Sequence, residues 1–227
     1  MSRATKSKKA FWIFGILGLI AIGVGRMSLS ITQVDPEIEQ VEVLEYQGEK
    51  LGSAGDFREN SIDGVQMIDP ETYELAIDGL VASPASFRYA ELQTMSHTAK
   101  LVTIRCVAGW SVKALWEGIA LPDLLALVKP AEGANTVVFH AADGYTTSLP
   151  LDFVLERNLI IADRINGMSL PPANGFPFQL VAEDKWGYKW IRWLTRIELS
   201  NDPDYHGYWE SRGYNNDGNV DGPRFEN

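Results

Sequence analysis

Apolar and polar residues alternate through Thr72-Tyr73-Glu74-Leu75-Ala76-Ile77-Asp78-Gly79, the period of a half-buried strand that stops at a glycine. Leu101-Val102-Thr103-Ile104 repeats the pattern, and short runs at 136–140, 145–149, 178–182 and 194–199 predict further strands. Helices are few and short. Arg88 to Met95 predicts one, and 121–128 predicts another, with Pro122 and Asp123 placed where a helix begins. Short strands, short helices and many Gly/Pro loops together predict a strand-rich α+β domain.

A different pattern fills the N-terminus. Phe11 to Gly25 is an uninterrupted apolar run, about 22 Å long as a helix, and its extension past Arg26 to Ile31 reaches about 31 Å, enough to cross a hydrocarbon core. This predicts a membrane anchor over residues 1–31. A cleaved signal peptide is the alternative, although no clean small-x-small site follows the run. Arg3, Lys6, Lys8 and Lys9 precede it without an acid, which predicts a cytoplasmic N-terminus and a soluble domain on the extracytoplasmic, periplasmic side. Residues 32–55 read as an acidic spacer, 56–214 as the folded domain, and the Asn/Asp/Gly-rich stretch 215–227 as a loose tail.

Composition adds two constraints. The net charge of −10 leaves no basic surface for nucleic acid, while a basic electron-transfer partner is compatible with it. Cys106 is the only cysteine, so it has no internal disulfide partner and completes no multi-cysteine metal site. It is a small buried hydrophobe or a reactive thiolate. Its place after a predicted strand and before Gly109-Trp110 puts the sulfur where a strand opens into a loop, with Arg105 adjacent in sequence as a cation that favours thiolate. His97, His140 and His206 lie far apart and read as structural, and Asp143 reads as the cap of the Gly144-Tyr145 turn.

The segment from Cys106 to Leu125 reads C-V-A-G-W-S-V-K-A-L-W-E-G-I-A-L-P-D-L-L. Ordered blocks follow at Asp143-Gly144-Tyr145 with Thr147 to Pro150, at Asn166-Gly167 with Leu170-Pro171-Pro172, and at Trp186 to Lys189 running into Trp193 to Glu198. The last is Gly207-Tyr208-Trp209-Glu210 with Gly213-Tyr214. Taken together, these resemble the sulfite oxidase superfamily of molybdopterin-dependent oxidoreductases across about residues 56–214. In architecture the chain is most similar to the catalytic subunit of the protein-methionine-sulfoxide reductase.

The resemblance implies the mixed fold of that superfamily and a molybdenum–molybdopterin cofactor whose metal is held by Cys106, with Arg105 supplying charge beside it. It implies cofactor contacts from Asn60, Ser61 and Ile62, from Asn174, and from Lys189, Trp190, Ile191 and Arg192. Gln179 stands where many relatives carry an arginine that reaches the cofactor, and Ala108 where the reductase branch carries glutamate. The implied activity is two-electron oxygen-atom transfer on a small or protein-borne S- or N-oxide or a sulfur oxyanion, with a membrane haem protein or cytochrome as redox partner. Ser7-Lys8-Lys9-Ala10-Phe11-Trp12 resembles a twin-arginine export signal with lysines in place of both arginines. The alternative is a non-enzymatic, membrane-tethered subunit whose cofactor site is weakened or empty.

Overall fold

The computed structural model describes residues 41–226, and the predominance of strands follows from how the chain pairs. In order come β1 (Glu45–Tyr46), β2 (Glu49–Lys50), β3 (Glu74–Gly79), β4 (Ala85–Arg88), α1 (Tyr89–Leu92), β5 (His97–Arg105), β6 (Ser111–Ala120) and α2 (Leu121–Val128). Then follow β7 (Thr136–Ala141), β8 (Thr146–Pro150), α3 (Leu151–Glu156), β9 (Ile160–Ile165), β10 (Met168–Ser169), β11 (Gln179–Val181) and β12 (Leu194–Ser200). The expected strand-rich α+β architecture is the one observed. Among these residues no helix is long and apolar enough to cross a membrane. The expected anchor over 1–31 and the first part of the spacer lie outside the described residues.

Two sheets carry the domain. One runs β10-β9-β6-β5 with β11 added to β9, and the other runs β4-β3-β12-β7-β8. All pairs are antiparallel except β12 with β3. One hydrophobic core draws on both sheets, with Leu75, Ile77 and Ile197 from one and Trp116, Ile119 and Ile161 from the other, all at most 1% exposed. Burying side chains of this size, roughly 1.5–3 kcal/mol each, supplies the main driving force for the fold.

β6 and β9 were invisible to an alternation rule because long stretches of each are buried on both faces. Leu115, Trp116, Ile119 and Ala120 of β6 are buried on both sides, and Ile160 to Asp163 of β9 form an unbroken buried run. A strand between two others and under a helix loses its period-two signature. Three of the family-like blocks are explained by backbone geometry. Asn166 and Gly167, with φ of 51° and 77°, close the β9–β10 hairpin, as a two-residue loop with positive φ should. A Cβ on Gly118 would stand 2.0 Å from the Ile161 carbonyl oxygen, and one on Gly207 would stand 2.2 Å from that of Thr146.

Two expectations about segment boundaries change. Residues 42–55, expected in a spacer, are docked on the domain: the Glu42 carboxylate accepts from Ala54 N, Ser53 Oγ and Asn166 Nδ2, and Val43 N donates to the Asn166 carbonyl. Those bonds hold Glu42 below the ordinary carboxylate pKa, against the burial that acts the other way. The tail from Asn215 is also tied down. Trp186 N donates to Gly218 O, Val220 N to Asp184 O, and Tyr214 bridges Phe225. Polar composition predicted looseness, but these backbone groups find partners in the domain.

The tight β6–β9 crossing gives a direct test. Gly118→Ala should lower stability by about 3 kcal/mol, since the methyl group meets backbone rather than a movable side chain. In a protein of this size that corresponds to a melting temperature about 6–12 °C lower. Wild-type melting of the variant would show that the two strands do not approach as described.

Candidate active site

β5 positions Cys106. Val102 and Ile104 point into the core, Leu101 and Arg105 face outward, and the alternation carries the Cys106 side chain to the inward face as the strand ends. Residues 106–110 then form the loop to β6. Cys106 N donates to Trp110 O, Gly109 N donates to Cys106 O, and Gly109 takes a φ of 90° to close the turn. The backbone on either side of the sulfur is therefore fixed at both its donor and its acceptor.

A second segment is held against this loop. Trp186 pairs in parallel with Arg105, and a Cβ on Gly187 would lie 3.3 Å from the Arg105 carbonyl oxygen and 3.5 Å from Cys106 Cα, so the two backbones run in contact beside the thiol. The chain from Gly187 to Trp193 is pinned at its far end by Leu180 N to Ile191 O and by Leu194 N to Phe178 O. Between the two segments lies a cavity of about 260 Å³, lined by Cys106, Asn60, Trp190, Ile191 and Arg192 among the residues expected at the site. Its wall is aromatic: Trp110, Tyr145, Tyr188, Trp193, Trp209 and Tyr214 contribute to it.

Arg192 shares the cavity wall with Cys106. Burial lowers its pKa and the charges of Glu59 and Cys106 raise it, but a guanidinium stays protonated throughout. Nη2 reaches Arg58 O at 3.4 Å, whereas Nη1 is buried with no hydrogen-bond partner in the described structure. An unpaired buried donor of this kind costs on the order of 1–3 kcal/mol unless a ligand meets it. Buried side-chain atoms without a hydrogen-bond partner occur also at Gln179, at both amide atoms, at Trp186 Nε1, at Asp163 Oδ1 and at Glu210 Oε2.

Several expected residues are placed elsewhere. The Arg105 side chain is exposed on the opposite face of β5, because adjacent strand residues point to opposite sides, and it does not line the cavity. Ser61 and Ile62 follow Asn60 but turn away from the cavity, with Ile62 N donating to Asp143 Oδ2. Asn174 is buried and donates to Ala54 O, and Gln179 is buried in β11, so neither lines the cavity.

Lys189 departs furthest from the expectation of a cofactor contact. Its ammonium lies 2.6 Å from Glu210, with both side chains fully buried, and also donates to Ser148 O. Thr147 Oγ1 donates to the same carboxylate oxygen of Glu210. Burial pulls the lysine pKa down, and the charge of Glu210 and its hydrogen bond pull it back. The pair locks the short turn Gly187–Lys189, and so Tyr188 and Trp190, onto β8.

Residues not foreseen as site residues also line the cavity, namely Arg58, Trp110, Asp143, Tyr145, Trp209, Tyr214, Arg224 and Phe225. Asp143 does cap its turn, accepting from Tyr145 N, and it holds the Asn60 segment through Ile62 N. The Tyr145 and Tyr188 phenols donate to Tyr188 O and Asn215 O respectively, and burial raises both pKa values well above normal. They stay protonated at any working pH. The histidines form local contacts, His97 with Asp163, His140 with Glu198 and His206 with Asp204 O, and among the described residues no cluster of three metal-ligating side chains occurs.

Comparison with known proteins gives concordant matches. A profile of the oxidoreductase molybdopterin binding domain matches residues 62–209. An uncharacterized oxidoreductase of Bacillus subtilis, YuiH, is 31% identical over 147 residues, covering 64% of this chain and 74% of its own length. YedZ1 of Azospira oryzae, named as a candidate protein-methionine-sulfoxide reductase subunit, is 31% identical over 67% of this chain and 58% of its own. A nitrate reductase [NADPH] of Fusarium oxysporum is 31% identical over 60% of this chain and 18% of its own. The crystal structure of the sulfane dehydrogenase SoxCD from Paracoccus pantotrophus matches with a TM-score of 0.61 at 23% identity, over 63% of this chain and 42% of that one, which is a likeness of fold.

The buried ion pair predicts a specific pattern of stability. Lys189→Met strands the Glu210 carboxylate in the interior and should cost about 3–5 kcal/mol in urea unfolding. Adding Glu210→Gln removes the stranded charge and should restore most of that loss. Equal stability of Lys189→Met and the wild type would show that the pair is not buried.

Proposed function

Because the chain belongs to the oxidoreductase molybdopterin-binding family, and so is an oxidoreductase that takes the molybdopterin cofactor, we propose that it catalyses oxygen-atom transfer with Cys106 as the protein ligand to molybdenum. The observation that carries this is the pairing, in one cavity, of an inward-facing thiol with a buried guanidinium nitrogen that has no protein partner. These residues fit the group: a soft sulfur suits the metal, and Arg192 Nη1 suits an anionic part of the cofactor. When bound, the cofactor supplies the two-electron exchange.

The protein's own contributions are distinct. The closed 106–110 loop fixes the direction of the sulfur, Arg192 presents one free donor toward the anion, and Asn60 adds a side-chain amide to the same wall. Trp190, Trp193 and Trp209 exclude water and give an apolar surface against which a thioether or S-oxide can pack. The reaction proposed is reduction of an S-oxide, in which the sulfur–oxygen bond breaks and R₂SO, two electrons and two protons become R₂S and water. The name of the Azospira relative and the aromatic wall support that direction. A membrane haem protein or cytochrome is proposed as the electron donor, and residues 1–31 as a single-pass anchor with the domain on the periplasmic side.

Protein purified from its own membranes with near-stoichiometric molybdenum should reduce methionine sulfoxide with reduced benzyl viologen as donor. Cys106→Ser should remain folded and lose turnover by at least about 100-fold, since serine is a harder and far less acidic ligand. Full turnover in that variant would remove Cys106 from the chemistry. Protease added to intact spheroplasts should degrade the domain; protection until detergent is added would reverse the proposed topology.

A further inference from the structure

Residues 210–226 lie beyond the stretch matched by the family profile, yet they close one side of the cavity. Their backbone forms a strap. Asn215 N donates to Arg224 O and Glu226 N to Gly213 O, which brings Arg224 and Phe225 back beside Tyr214. The strap is fastened to the segment next to the thiol by Trp186 N to Gly218 O, by Tyr188 Oη to Asn215 O, and by Lys185 Nζ to Asn219 Oδ1. Phe225 packs against Tyr214 at a tilt of 51°, with ring centroids 4.9 Å apart, while remaining 55% exposed.

Arginines outnumber carboxylates around the cavity, three to one. Arg58, Arg192 and Arg224 line it, and among the described residues none of the three has a carboxylate within ion-pair distance. Asp143, the carboxylate in the wall, is engaged by two backbone amides. An unpaired cationic cavity in a chain of net charge −10 focuses anions to one place. The three arginines are not equivalent. Arg192 holds its Nη1 buried and unpartnered on the side where the cofactor is proposed, whereas Arg224 is exposed on the strap, with its guanidinium 4.9 Å from the Trp186 ring and Nη1 3.5 Å from Val107 O. Val107 is the residue after the thiol.

We propose that Arg224 is the substrate-positioning residue of this enzyme, anchoring a carboxylate or other anionic group of the substrate at the cavity mouth while Phe225 covers its apolar body. This rests on the oxygen-transfer reading above and adds a substrate class to it, an S-oxide carrying a negative charge a few bonds from sulfur. The guanidinium is suited to the task because it offers a planar pair of donors to a carboxylate and is already oriented over an aromatic face. Neither Arg224 nor Phe225 takes part in the electron exchange.

The test compares two probes with the same reacting group, dimethyl sulfoxide, which is neutral, and N-acetylmethionine sulfoxide, which is anionic, on wild-type holoenzyme and on Arg224→Gln and Arg224→Lys. The ratio of kcat/KM for the anionic probe to that for the neutral probe should fall about tenfold in Arg224→Gln, carried by KM, and recover in Arg224→Lys. An unchanged ratio would overturn the proposal. Binding of both probes, followed by quenching of the cavity tryptophans, separates this question from turnover. If no probe is turned over, the S-oxide reading fails by itself, and Arg224 still stands or falls by affinity. Tighter binding of the anionic probe that is lost in Arg224→Gln supports the anchor, and equal affinity for the two probes refutes it.

Discussion

The pairing of β5 with β6 is the constraint from which the site follows. It runs without interruption from His97 opposite Ile119 to Arg105 opposite Ser111, so the position where β5 ends is set by the whole ladder rather than by local contacts. Cys106 inherits that position. Trp186 then adds one more parallel pairing to Arg105, which draws the segment carrying Tyr188, Trp190 and Arg192 alongside the thiol. A cavity is left between two backbone segments that are each held by several hydrogen bonds, and this fixed placement is what a metal ligand requires.

Polar groups around the cavity divide into those satisfied by the protein and those left over. Lys189 and Glu210 Oε1 pair deep in the interior and serve as a clamp. Asp143 satisfies two amides and ties the Asn60 segment to the β7–β8 turn. Arg192 Nη1 and the amide of Gln179 have no such partners, although burial makes that costly. Of the two, only Arg192 lines the cavity, and it is the one a bound cofactor would complete.

Much of this was legible in the sequence, and the failures have physical reasons. β3 and β12 bury roughly alternate residues and so show the period that betrays them; β7 is buried on both faces and was legible only as a short β-branched and aromatic run, while β6 and β9, buried on both faces over long stretches, show no period. Cys106 stood out because a lone cysteine at the end of a strand has no second thiol to pair with and belongs to no multi-cysteine site. Arg105 was misplaced by reading neighbours in sequence as neighbours in space, since consecutive strand residues face opposite ways. Lys189 looked like a free cation because its partner, Glu210, lies 21 residues away and joins it only through the tertiary fold. Arg224 was hidden by the polar composition of a tail whose hydrogen bonds are all long-range to the domain or internal to the strap.

The central claim is that Cys106 binds the metal, and X-ray absorption at the molybdenum edge tests it most directly. Holoenzyme and its Cys106→Ser variant, each purified with cofactor bound, should differ by one sulfur neighbour of molybdenum, with the remaining sulfur shell intact. An identical sulfur shell in the two proteins would show that the thiol is not a ligand and would contradict the account at its base.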